Sequence, residues 1–169
     1  MKKSILFLAA ISLFAADTIF QKLFGLQPKE PTLYQKECGS CHFAYQPQLL
    51  PKRSWQKMMA NLEDHFGTDA SLDPDDHKTI AAYLYANAAD VRPRGEMSEM
   101  ALSMPKDKTL LRITELPKFK KEHRKIPKRY IEQKAVKSLS NCAACHRDAE
   151  KGLYEEENIY IPGYGRWED

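Results

Sequence analysis

Two five-residue stretches concentrate the chemistry of this 169-residue chain: Cys38-Gly39-Ser40-Cys41-His42 and Cys142-Ala143-Ala144-Cys145-His146. Together they use all four cysteines. Both read Cys-x-x-Cys-His, the attachment signature of c-type haem. Two thiols three positions apart lie on one turn, so each can form a thioether with a haem vinyl group. The adjacent histidine then presents an imidazole nitrogen to the iron as its proximal ligand. A four-cysteine zinc site would use the same pairs, but zinc does not ask for a histidine after both. Thioredoxin-like redox pairs follow a strand-to-helix unit, which neither motif does. Two local disulfides would close rings too small to stabilise much. The pattern points to two covalently attached haem c groups, each with its iron.

Each iron has a second axial position, and the remaining histidines are His65, His77 and His123. Histidine on both sides favours a low potential, whereas methionine raises it. His65 follows Met58 and Leu62 by seven and three residues, which places it on the apolar face of an expected helix. His77 precedes Ile80, Ala81 and Leu84 by three, four and seven, so it is a rival. His123 is the only free histidine in the C-terminal half, inside the basic run Lys120–Arg129. It lies 23 residues before His146, and His65 lies 23 after His42. Met97, Met100 and Met104 recur at near-helical spacing and are expected to pack. Met58 and Met59 are expected against porphyrin. Trp55, Tyr130, Tyr160, Tyr164 and Trp167 are expected to cover haem surface.

The elements that must position these groups are mostly helical. Residues 31–42 suggest a short helix leading into the first motif. Pro47 to Pro51 suggest an irregular segment over an apolar surface, the haem edge included. Ser54 is an N-cap and Gly67 a stop for a helix carrying Trp55, Met58, Met59, Leu62 and Phe66. Asp73 and Pro74 open another, running to about Ala88. The pattern weakens from Val91 to Leu116. Pro117 and Pro127 bracket a helical segment containing His123. A longer helix is expected from about Lys128 through the second motif to Gly152, followed by a tail that alternates and turns. The organisation read from this is a first haem domain over 17–92, a junction over 93–116 and a second haem domain over 117–169.

Met1-Lys2-Lys3 followed by the apolar run Ser4–Ala16 reads as an export signal, 1–16, too short to span a bilayer as a stable helix. Ala15 and Ala16 offer small residues for cleavage. An uncleaved anchor continuing through Ile19 and Phe20 is the alternative, which Asp17 disfavours. Losing Lys2 and Lys3 would lower the net charge from +3 to +1, too near neutral to suggest nucleic acid. Its distribution is uneven. Nine Lys/Arg stand between Lys118 and Lys137 against Glu122 and Glu132, and acids dominate from Asp148 onward. Such polarity can orient a charged partner.

The stretches "CGSCHFAYQPQLLPKRSW", "LEDHFG", "ITELPKFKKEHR", "SLSNCAACHRDAEKG" and "IYIPG" resemble the dihaem cytochrome c family. The order of the N-terminal half resembles a small class I cytochrome c domain. The resemblance implies a mostly α fold of two small haem-binding domains, the second of short helices and an irregular C-terminal tail. It also implies bis-histidine ligation, with His42 and His65 on the first iron and His123 and His146 on the second. Chain proximity favours this pairing over a crossed one. Similar proteins are periplasmic electron carriers, some associated with an oxygen-binding haem protein and a membrane cytochrome b. One-electron transfer between redox partner proteins is therefore the expected role, with no catalytic residue. A peroxidase-like or gas-binding haem protein is the alternative. It requires one distal ligand to be displaceable, and the chain lacks the length of the usual dihaem peroxidases.

Overall fold

Caps and prolines decide where the helices begin. The computed structural model describes residues 32–167, so the expected export signal lies outside the described residues. Helix α1 (Leu33–Glu37) starts behind Thr32, whose hydroxyl accepts from the Gln35 N–H while the Gln35 side chain accepts from the Thr32 N–H. This reciprocal capping box stabilises a very short helix. It runs directly into a 3-10 turn at Cys38–Ser40. A second 3-10 turn, Pro47–Leu49, precedes α2 (Lys52–Met59). Then come α3 (Pro74–Ala86), α4 (Gly95–Leu102), α5 (Pro117–His123) and α6 (Lys128–Ile131). The chain closes with an antiparallel pair, β1 (Tyr160–Ile161) and β2 (Gly165–Arg166).

One apolar core unites α1, α2, α3 and α5 around Tyr34, Leu50, Trp55, Met59, Ile80, Leu84, Leu116 and Phe119. Two polar ties fix its geometry. The Trp55 indole N–H donates to the Pro47 carbonyl at 2.7 Å, and His77 Nε2 donates to the Met59 carbonyl at 2.8 Å. The second tie locks α3 onto the end of α2. At the other end of α2, the Asp90 carboxylate accepts from the Lys52 N–H at 2.7 Å. A residue beyond α3 thus satisfies an orphan donor at the start of α2.

Several expected elements differ. Helix α2 begins at Lys52, so Ser54 is a buried interior residue whose hydroxyl points at Met104 Sδ. It also ends at Met59 and not at Gly67. Asn61 leaves helical conformation, and a 3-10 turn at Leu62–Asp64 follows. His65 therefore stands on a turn. The long helix expected through the second motif is absent. After α6 the chain turns at Lys137, whose φ is +70°. The Asn141 side-chain amide donates to the Val136 carbonyl, and the Ser138 and Ser140 hydroxyls bond each other. Short polar side chains that satisfy nearby backbone in this way compete with helix. Only the 3-10 turns Cys142–Ala144 and Ala149–Lys151 remain, and Gly152 ends the second with φ +72°. The weakly patterned 93–116 stretch holds α4, which buries Met97 and Ala101. No helix among the described residues is long and apolar enough to cross a membrane.

Leu84 is 1% exposed in this core. Leu84→Ala should lower unfolding stability by about 2–5 kcal/mol, and Asp90→Ala by about 1 kcal/mol through loss of the α2 cap. Denaturant midpoints of the purified protein measure both.

Candidate functional site

The first motif leaves α1 as a turn, which puts Cys38, Cys41 and His42 on one short surface. His42 Nδ1 donates to the Phe43 carbonyl at 2.7 Å. That bond fixes the tautomer and leaves Nε2 as the available lone pair. His65 faces it, with ring centroids 6.0 Å apart and planes within 16°. A tight turn holds His65 in place. Its N–H donates to the Thr68 carbonyl at 2.8 Å, and the Thr68 N–H returns a bond at 3.2 Å. The two central residues have positive φ, 55° at Phe66 and 91° at Gly67, the pattern of a type I′ turn. Glycine adopts this freely, but phenylalanine does so at a cost of order 1–3 kcal/mol. Arg112 lies over the Phe66 ring, 4.0 Å from its centroid.

The second motif borders a cavity of about 470 Å³. Cys142, Cys145 and His146 line it with His123, Met97, Met100, Ile126, Leu139, Tyr154 and Trp167. His123 ends α5, where Nδ1 donates to the Phe119 carbonyl at 2.9 Å and the ring stacks on Phe119 at 3.9 Å. Its centroid is 6.2 Å from that of His146, the planes inclined at 55°. The C-terminal tail clamps the motif from behind. Tyr160 N–H donates to the Cys145 carbonyl at 2.9 Å, and His146 bridges to Ile159.

These separations fit a metal held between two imidazoles. A metal bonds an imidazole nitrogen at about 2 Å and the ring centre lies about 1 Å beyond, giving centroids about 6 Å apart. Electrostatics agree. Burial lowers the His146 pKa to about 4, reinforced by the charge of His123. Burial lowers His123 too, opposed by the Phe119 carbonyl and Glu122. His65 is lowered by burial, then by His42 and Arg112. All three are therefore held neutral, the form that binds metal. The buried Nδ1 of His146 has no hydrogen-bond partner in the structure. Such burial costs about 1–3 kcal/mol. The four cysteines form no disulfide. Burial raises the pKa of the Cys38 and Cys142 thiols to about 11, which describes them before haem attachment.

The structure thus brings His65 to His42 and His123 to His146. It sets His77 apart, occupied with the Met59 carbonyl. Trp55 and Met59 lie in the apolar core, while Trp167 lines the second cavity and Tyr160 and Tyr164 are exposed. Leu49 of the Pro47–Leu49 turn lines that cavity as well. Sequence reasoning missed Tyr45, Phe119 and Tyr154. Their rings lie 5.3 Å from His42, 3.9 Å from His123 and 5.4 Å from His146. Only Phe119 carried a signal, being four residues before His123 on a helix.

Comparison with known proteins gives the same picture. The family model for dihaem cytochrome c matches residues 34–154. The chain is similar to the X-ray structure of a diheme cytochrome type c from Shewanella baltica OS155. The identity is 40%, covering 81% of this chain and 97% of that one, with TM-score 0.66. It is also similar to diheme cytochrome c from Rhodobacter sphaeroides, at 45% identity over 75% of this chain and 98% of that one, TM-score 0.65. A second structure, DHC purified from the same organism, gives 45% identity over 76% and 100%, TM-score 0.59. No curated protein matches. Two Cys-x-x-Cys-His motifs, a mostly helical fold and the family match over most of the chain agree: this chain belongs to the dihaem cytochrome c family, whose members carry two haem c groups.

Proposed function

We propose that this haem c electron carrier works in the periplasm, passing one electron at a time through two irons that are each held by two histidines. Cys38 and Cys41 anchor the first haem and Cys142 and Cys145 the second. The observation that carries the reading is the pair of imidazole separations, 6.0 Å for His42 and His65 and 6.2 Å for His123 and His146. The haem supplies Fe(III)/Fe(II) chemistry, and the protein's residues set the conditions for it. Two imidazoles per iron leave no open position for substrate and favour a low potential. The Nδ1 bonds of His42 and His123 hold those rings in orientation through either oxidation state. Met97, Met100, Ile126 and Leu139 exclude water from the second site. Lys118, ion-paired with Glu99 at 2.7 Å, and Arg166 also line it, beside the carboxylates of Glu96, Glu122, Glu156 and Glu157.

Export is supported by the Met1–Ala16 pattern. The exposed cations Lys120, Lys121, Arg124, Lys128 and Lys134 form a basic surface beside the second site. This surface suits an acidic redox partner, whose approach it would steer. An oxygen-binding haem protein and a membrane cytochrome b are the partners proposed, reached by transient contact.

Ligation can be tested residue by residue. His65→Ala and His123→Ala should each convert one haem from low-spin to high-spin in the optical and EPR spectra, and His77→Ala neither. Unchanged low-spin spectra in His123→Ala would overturn the assignment.

Acid provides a second test. A detached histidine takes up a proton near pH 6.5, whereas a ligated ring takes none, and burial already opposes protonation of His146 down to about pH 4. The iron–imidazole bond should therefore lose free energy progressively below about pH 6.5, and a high-spin fraction should appear only well below that value, once the bond's own free energy has been offset. High-spin absorbance should grow on acid titration and be absent on alkaline titration.

A further inference from the structure

The segment Tyr45-Gln46 touches both haem motifs, although its residues lie about a hundred positions from the second one. The Tyr45 ring lies 5.3 Å from that of His42, and its hydroxyl donates to the Ser140 carbonyl at 2.7 Å, two residues before Cys142. Gln46 takes up the connection on its other side. Its Nε2 donates to the Ala149 carbonyl at 2.7 Å, and its Oε1 accepts from the Tyr154 hydroxyl at 2.7 Å. Tyr154 in turn stands edge-on to His146 at 5.4 Å. The Tyr34 hydroxyl, on the helix leading into the first motif, donates to the Tyr45 carbonyl at 2.6 Å. Gly152 makes room for the arrangement: a Cβ there would come within 3.2 Å of Gln46 Cγ.

We propose that Tyr45, Gln46 and Tyr154 are positioning residues that fix the separation of the two haems and thereby set the rate of electron exchange between them. The inference rests on one haem being held at each motif. Each proximal histidine is flanked by a tyrosine, and the two tyrosines are joined through a single glutamine and one peptide unit. One hydrogen bond on this path, from Tyr154 to Gln46, and three that brace it from Tyr34, Ser140 and Ala149, all of 2.6–2.7 Å, make it a stiff link. Electron exchange falls steeply with the distance between donor and acceptor, so a link that fixes this distance fixes the rate.

The test uses the holoprotein with both haems. Dipolar EPR of the oxidised protein reads the haem–haem distance, and NMR exchange spectroscopy of the half-reduced protein reads the electron exchange. Gln46→Ala should widen the distance distribution and slow the exchange severalfold. Tyr154→Phe and Tyr45→Phe, which each remove one oxygen, should slow it less. Asp90→Ala, which weakens a helix cap elsewhere, should leave exchange unaltered. Should Gln46→Ala lose a haem, the two tyrosine variants decide. Two low-spin haems with native distance and exchange in all bridge variants would overturn the proposal while leaving haem ligation intact. A native protein with fewer than two low-spin haems would refute the ligation itself, and the bridge with it.

Discussion

A metal held between two imidazoles admits little positional freedom, and two ring spacings that would fit one organise this chain. The ring pairs at 6.0 and 6.2 Å come from four different local structures: two post-motif turns, a type I′ turn and a helix end. None of these is stable in isolation. Each is fastened by something distant or strained. His65 rides on a turn that forces Phe66 to φ +55°, and His146 is backed by a two-residue strand pair. His123 stacks on a phenylalanine buried in the common core.

The core and the sites are therefore one system. Phe119 belongs to the apolar cluster built from α1, α2 and α3, yet it also carries the ring and the Nδ1 bond of His123. Leu49 sits beside core residue Leu50 and lines the second cavity. A chain of this size, with helices as short as four residues, has little apolar surface to bury on its own. Covalent haem adds apolar area where the polypeptide has none to offer. It also explains why the second half can dispense with regular structure around Cys142–His146.

Much of the site was legible from residue types alone. The Cys-x-x-Cys-His spacing is dictated by the haem edge, so it identifies four thioether positions and two histidines without any fold. The helices opening at Pro74 and Pro117 were likewise readable, because prolines are local signals, and counting histidines against irons singled out His65 and His123, which the structure sets opposite His42 and His146. The misplaced boundaries have physical causes. Ser54 looks like a cap, yet α2 is capped at Lys52 by Asp90, 38 residues further along the chain. His65 has helical spacing from Met58 and Leu62, but Phe66-Gly67 breaks the helix to turn its ring. The second motif looks helical if the run Ser138-Leu139-Ser140-Asn141 is passed over, yet those short polar side chains bond nearby groups and compete with helix. The Tyr45, Gln46 and Tyr154 link was invisible, since contacts across a hundred residues leave no periodic trace.

The proposed ligation gives both irons two imidazoles and no other axial ligand. Near-infrared magnetic circular dichroism of the fully oxidised protein separates bis-imidazole from imidazole–thioether ligation, and both from high-spin iron. Two bis-imidazole irons per chain are expected. A thioether signature at either iron, with Met97, Met100 or Met104 as its source, or a high-spin iron in the native protein at neutral pH, would contradict it.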